Sequence, residues 1–246
     1  MSRRVLIIVQ ARMGSTRLPG KVMKPLLGKP LLAHLLERLE RVGQADQVVV
    51  ATPESAAEQP IVDLVETFPS VELFRGPEHD VLARYHGAAH QFGGEVIVRV
   101  TSDCPLIDPD ITGRCIETFL ADGLDYLSTG LRRTFPRGLD TEIFSVEALG
   151  VAFREAVDPP EREHVTPFLY HRPERFRLFG VTADEDRSDL RLTVDTPEDF
   201  ELVRRIYETL YPEQPNFGYA DVLALLEEHP DWADINRHIE QKAYGQ

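Results

Sequence analysis

The chain has 246 residues, 42% hydrophobic and 28% charged, with a formal net charge of -14. This length and composition suit one α/β domain with a substantial core, and the acidic balance argues against nucleic acid as the main partner. No apolar stretch approaches the ~18 residues of a membrane span, and the five or six apolar residues after Arg4 are too few for a secretion signal, so a cytoplasmic protein is expected. Cys104 and Cys115 are the only cysteines. Their spacing suits neither a metal site nor a redox pair, which argues against a disulfide framework or structural zinc.

Cation is concentrated at one end. Arg3, Arg4, Arg12, Arg17, Lys21, Lys24 and Lys29 all precede the first carboxylate, Glu37, so 20 of the 27 basic residues are left against all 41 acidic ones. Within this segment residues 4–10 form an apolar, β-branched run that reads as a strand buried on both faces. Residues 11–24 follow as a loop with two glycines, a proline, two hydroxyls and four cations, and helical spacing resumes over 30–39. Strand, glycine-containing basic loop and helix together make a phosphate-holding design, because backbone N–H groups point outward while Lys and Arg neutralise charge. A P-loop is excluded: five residues, not four, separate Gly14 from Gly20, and Val22 follows Lys21 where a magnesium-binding hydroxyl belongs. No G-x-G-x-x-G follows the strand, which removes the dinucleotide fingerprint.

Strands at 47–51, 71–75 and 95–100 alternate with helices at 56–68 and 81–92. This rhythm predicts a mainly parallel sheet with helices on both faces and ligands beyond the carboxyl ends of the strands, where the strand order reverses. The loops after the first, third and fourth strands are therefore the places to search. In the third-strand loop, Gly76 and Pro77 force a turn and Asp80 either caps the next helix or accepts hydrogen bonds from a ligand. After the fourth strand, Asp103 stands just past the last apolar residue, where a carboxylate can meet a phosphate-bridging metal or simply form a turn. Asp108 before Pro109 reads as a helix cap.

Farther on, residues 135–144 combine an Arg-Gly loop with an alternating strand that places Asp140 and Glu142 on one face. Those carboxylates suit sugar hydroxyls and Arg137 suits a substrate carboxylate, although a solvated edge strand has the same pattern. His164 precedes an apolar helical face and is either structural or a base near neutral pH. Residues 190–194 alternate as a strand, after which Thr196, Pro197 and two acidic residues start a helix and leave Asp195 unexplained. Helices are expected at 220–229 and 235–242, with Trp232 packing in the turn between them.

The run Val9-Gln-Ala-Arg-Met-Gly-Ser-Thr-Arg-Leu-Pro-Gly-Lys-Val-Met-Lys-Pro-Leu-Leu-Gly-Lys-Pro-Leu31 resembles the opening signature of sugar-acid cytidylyltransferases, the acylneuraminate and 3-deoxy-manno-octulosonate activating enzymes, and most of all their SpsF-like spore-coat branch. The resemblance implies a GT-A-like nucleotidyltransferase fold over nearly the whole chain. It implies a nucleotide-binding half at 1–130, a sugar-binding and dimerisation subregion at 131–195, and C-terminal helices at 196–246. It places CTP over Ala11, Arg12, Gly14, Ser15, Arg17 and Lys21, with Arg75, Gly76 and Asp80 framing base and ribose. Asp103 and Asp195 become the ligands of a magnesium ion, and Arg137, Asp140, Glu142 and His164 face a sugar acid whose hydroxyl attacks the α-phosphate in line. Arg12, Lys21, Asp103 and Asp195 are the catalytic set, and a homodimer is expected. Two other readings stand beside this one: a GT-A-like glycosyltransferase using Asp108-Pro-Asp110 as its metal motif, and a nucleotide-binding subunit without turnover.

Overall fold

The computed structural model describes residues 3–241. The apolar opening run forms β1 (Val5–Gln10), buried except at its last residue. A loop and a 3-10 turn lead to a small antiparallel pair, β2 (Pro25–Leu26) and β3 (Lys29–Pro30), and then to α1 (Leu31–Leu39). The alternating units follow: β4 (Gln47–Pro53), α2 (Gln59–Val65), β5 (Val71–Gly76), α3 (Val81–Phe92), β6 (Val96–Thr101) and α4 (Pro109–Asp122). Next come β7 (Tyr126–Ser128), β8 (Glu142–Ser145), α5 (Val146–Glu155), α6 (Pro159–His164), α7 (Pro167–Tyr170), β9 (Leu178–Gly180), α8 (Pro197–Leu210) and α9 (Tyr219–Glu228).

Seven strands form one sheet in the order β5-β4-β1-β6-β8-β7-β9. All pairings are parallel except those of β8 with β6 and β7, so the expected mainly parallel sheet is present. The strand order reverses between β1 and β6, which lie side by side although 85 residues of chain separate Gln10 from Val96. The loops carrying Lys21 and Asp103 leave from this point. Because side chains alternate across a strand, Val5, Ile7 and Val9 join one core with Leu32, Leu35 and Leu36 of α1, whereas Leu6 and Ile8 join another with Tyr85 and Ala88 of α3. A third core packs Leu192 and Val194 against α8 and α9 through Leu202, Val203 and Leu225.

Several local expectations need correction. The helix expected at 56–68 is divided: a 3-10 turn at Ala56–Glu58 precedes α2, because Pro60 lacks the N–H needed to continue a helix through it but fits a first turn. Residues 190–194 are not a strand. Among the described residues their one ladder contact is a bridge between Arg137 and Arg191, and Val194 N–H donates instead to the Asp103 carbonyl at 2.8 Å. The strand read through 140–144 starts only at Glu142, so Asp140 lies outside it. Of the helix expected at 235–242, the described part forms turns after a 3-10 segment at Pro230–Asp234, and Lys242 lies outside the described residues. Both cysteines are buried free thiols. Among the described residues no helix is long and apolar enough to cross a membrane.

Candidate active site

The loop after β1 closes on itself. Gly20 N–H donates to the Met13 carbonyl and Leu18 N–H to Ser15 Oγ, both at 3.3 Å, while Met13 N–H donates to the buried Glu58 carboxylate at 2.7 Å. Gly20 has a φ of 65°, a left-handed value that glycine adopts without steric cost, and from there a 3-10 turn at Lys21–Met23 sends Lys21 back toward the sheet. Ala11 is buried, whereas Arg12 and Gly14 are exposed; a Cβ on Gly14 would meet nothing within 4 Å.

Lys21 Nζ ends between the two aspartates singled out from sequence. It donates to Asp103 Oδ2 at 2.9 Å, to Asp195 Oδ1 at 2.8 Å and to the Val194 carbonyl at 2.9 Å. Asp103 Oδ1 accepts from Thr101 Oγ1 at 2.6 Å. The Asp103 carbonyl accepts from Val194 N–H and from Thr193 Oγ1 at 3.0 Å, so main-chain bonds hold the two aspartate-bearing segments together. Asp195 Oδ2 is shared by Arg17 at 2.9 Å and Arg191 at 2.8 Å. Burial alone would discharge both Lys21 and Asp103. Mutual attraction and hydrogen bonding overcome it, raising the lysine pKa above its usual 10.5 and holding the Asp103 carboxyl below the ordinary carboxylate range.

Behind Asp195 stands a buried support. Asp199, with no exposed surface, accepts from Arg191 Nε at 2.8 Å, Arg191 Nη2 at 3.1 Å, Asn236 Nδ2 at 2.9 Å and the backbone N–H groups of Asp195 and Thr196 at 2.9 and 3.1 Å. It is also the N3 residue of a capping box with Thr196. Three carboxylates thus meet three cations.

Two carboxylates converging on one point suit magnesium, which takes one or two protein carboxylates and fills its octahedron with phosphate oxygens and water. No group of three or more acidic, histidine or cysteine side chains suited to a metal ion is present among the described residues. The donor set therefore fits a metal that arrives with a nucleotide better than one held by protein alone.

The base-framing candidates lie on the β5 side. Arg75 Nη2 donates to the Ser55 carbonyl at 2.8 Å, and Gly76 lies where a Cβ would press on Phe74 and Arg84 at 3.0 and 3.1 Å. Asp80 caps α3 through Ala83 N–H at 2.9 Å, and its other oxygen is paired with Arg162 at 2.6 Å. Both of its oxygens have protein partners. Burial lowers the pKa of Arg84 on α3, and the charge of Arg12 adds to that.

The sugar-side candidates fall into two groups. Glu142 is ion-paired with Arg99 and accepts from Tyr126 Oη at 2.5 Å and Thr166 Oγ1 at 2.6 Å. Arg99 also donates to Gln10 Oε1 at 3.2 Å. Burial lowers the pKa of His164, the carboxylates of Glu163 and Glu142 counter that, and the charge of Arg99 adds to it. Asp140 belongs elsewhere, paired with Arg133 at 2.6 Å and accepting from Gly138 N–H at 3.0 Å. The expectation that Asp140 and Glu142 act on one face fails, because the chain between them is not yet extended strand. Arg137 pairs its backbone with residues 190–192. Gly138, at φ 104°, lies so close that a Cβ would be 2.5 Å from the Leu192 carbonyl carbon.

Sequence reading missed Arg99, Arg191, Asp199 and Glu58. The first two carried a signal: an arginine inside an apolar run, Val98-Arg-Val and Leu190-Arg-Leu, needs a buried partner. Asp108, of the alternative metal motif, is engaged on both oxygens, by Ile111 N–H at 2.9 Å and Tyr219 N–H at 2.7 Å.

A cytidylyltransferase family model matches residues 6–224. Spore coat polysaccharide biosynthesis protein SpsF of Bacillus subtilis is 31% identical over 239 residues, 93% of this chain and 96% of its own. The 3-deoxy-manno-octulosonate cytidylyltransferase of Trichlorobacter lovleyi is 32% identical over 119 residues, 48% of this chain and 46% of its own. A solved cytidylyltransferase from Leptospira borgpetersenii is 34% identical with a TM-score of 0.90, covering 98% of this chain and 100% of that one.

Proposed function

Since the chain belongs to the cytidylyltransferase family, and is thus a nucleotidyltransferase, we propose that it transfers the cytidylyl group of CTP to a hydroxyl of a sugar acid and releases pyrophosphate. The observation that carries this reading is the convergence of Lys21, Asp103 and Asp195 at the β1/β6 reversal, directly beneath a basic, glycine-containing loop. The named relatives support a sugar-acid acceptor and a place in polysaccharide biosynthesis.

In this reading Ala11, Arg12, Gly14 and Ser15 lie along the triphosphate, and Arg17 and Lys21 neutralise the charge that grows on the leaving pyrophosphate. Asp103 and Asp195 would hold a magnesium ion. When bound, that ion supplies Lewis-acid polarisation of the phosphoryl oxygens. Arg75 and Gly76 border the base, and Asp80 fixes the start of α3 beyond them. The acceptor lies toward Glu142 and His164 on one side and Arg137 and Asp140 on the other. The protein's contribution is positioning and fixed charge, with no covalent intermediate. The exposed Phe179 on the edge strand β9 and Leu131 beside Gly180 mark the surface we assign to a homodimer; sedimentation equilibrium showing only monomer would remove that assignment.

The reaction is tested by incubating the protein with each nucleoside triphosphate, magnesium and a panel of sugar acids, and measuring pyrophosphate. CTP with one sugar acid should be selected, and Lys21→Met and Asp103→Ala should each lower turnover at least ~10²-fold, the scale for loss of one preorganised charged group. Equal pyrophosphate release by wild type and both variants would sink the assignment. A glycosyltransferase would release none.

A further inference from the structure

An ammonium group has three hydrogens, and Lys21 spends all three inside the protein, on Asp103 Oδ2, Asp195 Oδ1 and the Val194 carbonyl. No donor remains for a phosphate. The two carboxylate oxygens it holds are also the two that are open to a cation. Asp103 Oδ1 is bound to Thr101, and Asp195 Oδ2 to Arg17 and Arg191; Asp103 Oδ2 and Asp195 Oδ1 have Lys21 as their one side-chain partner among the described residues. A lysine on the phosphates and a dication on both aspartates therefore require the same movement of one side chain.

We infer that Lys21 and a divalent cation exchange at one point: Nζ closes the gap between Asp103 and Asp195, and the triphosphate draws it away, opening that gap to the cation. The inference rests on the metal assignment proposed above. The movement is local. Lys21 has a flexible four-carbon stem and Asp103, a quarter exposed at its side chain, opens the site toward solvent. Asp195 stays in place because Arg17, Arg191 and Asp199 hold its other oxygen and its backbone. After the exchange each aspartate presents one oxygen, and the ammonium has moved to the phosphates it must neutralise. Lys21 then has two roles: it stabilises the paired carboxylates, and it makes their affinity for metal depend on nucleotide.

The test uses Mn²⁺ as the probe, with free Mn²⁺ read by its electron paramagnetic resonance signal and no nucleotide present. Lys21→Met should bind Mn²⁺ at least ~10-fold more tightly than wild type, the equivalent of no longer displacing one charge-assisted hydrogen bond, and adding Asp103→Asn should abolish the gain. Lys21→Gln, which keeps an amide donor without the charge, serves if the methionine variant fails to fold and should show the same direction. In parallel, crystals of wild type with CTP and Mn²⁺ locate the metal by anomalous scattering. Metal on Asp103 and Asp195 in those crystals, with no gain in affinity in either Lys21 variant, overturns the exchange and leaves the cytidylyl-transfer reading intact. Metal bound elsewhere overturns both the exchange and the metal assignment on which it rests.

Discussion

Replacing Asp199 with alanine tests whether a fully buried carboxylate holds Asp195, the aspartate we assign to the active site. Five hydrogen-bond donors lose their acceptor: two from Arg191, one from Asn236, and the backbone N–H groups of Asp195 and Thr196. Arg191 keeps Asp195 Oδ2 and Gln241 but is left with excess charge in a buried place. Breaking such a pair from one side costs about 3–5 kcal/mol. For a chain of this size that lowers the melting temperature by roughly 6–20 °C. Circular dichroism during urea and thermal unfolding measures the loss, and pyrophosphate release, assayed where the variant is fully folded, measures the consequence. Turnover should fall ~10-fold or more, because small displacements of a catalytic group are costly. The double variant Arg191→Met/Asp199→Leu removes both charges and should regain stability without regaining turnover. If Asp199→Ala loses less than about 1 kcal/mol, below the usual cost of a buried unpaired charge, and keeps wild-type turnover, then Asp199 does not hold Asp195 in place.

Two other expectations concern groups of contrasting kind. Asp80→Ala should cost about 1–2 kcal/mol from the lost cap of α3 yet leave the KM for CTP unchanged, because both carboxylate oxygens already have protein partners; a severalfold rise in KM without loss of stability would restore Asp80 as a nucleotide contact. His34 is buried beside Tyr207 and Tyr211 and donates its Nε2 hydrogen to the Leu26 carbonyl at 2.8 Å, and burial lowers its pKa below the usual 6.5. The unfolded chain therefore takes up a proton that the folded one refuses, so this contribution is complete above pH 6.5 and is lost as the pH falls through 6.5 toward the folded value. Urea midpoints measured across that range should decline on acidification, and His34→Gln should make the decline shallower; an equally steep decline would assign it to His86 and His164, whose pKa values burial also lowers.

The parallel half of the sheet was legible because buried strands need apolar runs, which β1 and β4 have unbroken and β6 breaks at Arg99. Their order of appearance was enough to direct attention to the Lys21 and Asp103 loops. Residues 190–194 have a strand's alternation without a strand's pairing. Val194 and Leu192 are buried against helices, which explains the pattern, while their backbone groups bond to Asp103 and to Arg137 across long sequence separations that periodicity cannot express. The short strands β7 and β9 were invisible for the converse reason: three residues carry too little pattern. Lys21, Asp103 and Asp195 were each read from sequence, but not that they would meet at one nitrogen. Asp199 was hidden by sufficiency, since its place in a helix cap explained it without the arginine it also neutralises.

The stitching of Asp103 to residues 193–194 has an evolutionary corollary. Ninety residues of chain depart from one aspartate and return beside it, and the return is registered by main-chain bonds to the Asp103 carbonyl and by the clamp at Gly138. Between those fastenings the chain gives β7, β8 and β9 to the sheet and α4 and α5 to its cores, so within that stretch the connecting loops alone are free to vary. Those loops can lengthen, shorten or be exchanged while Asp103 and residues 193–194 stay fastened, so that in the function proposed above one phosphate-handling frame can be refitted for different sugars by changing loops alone.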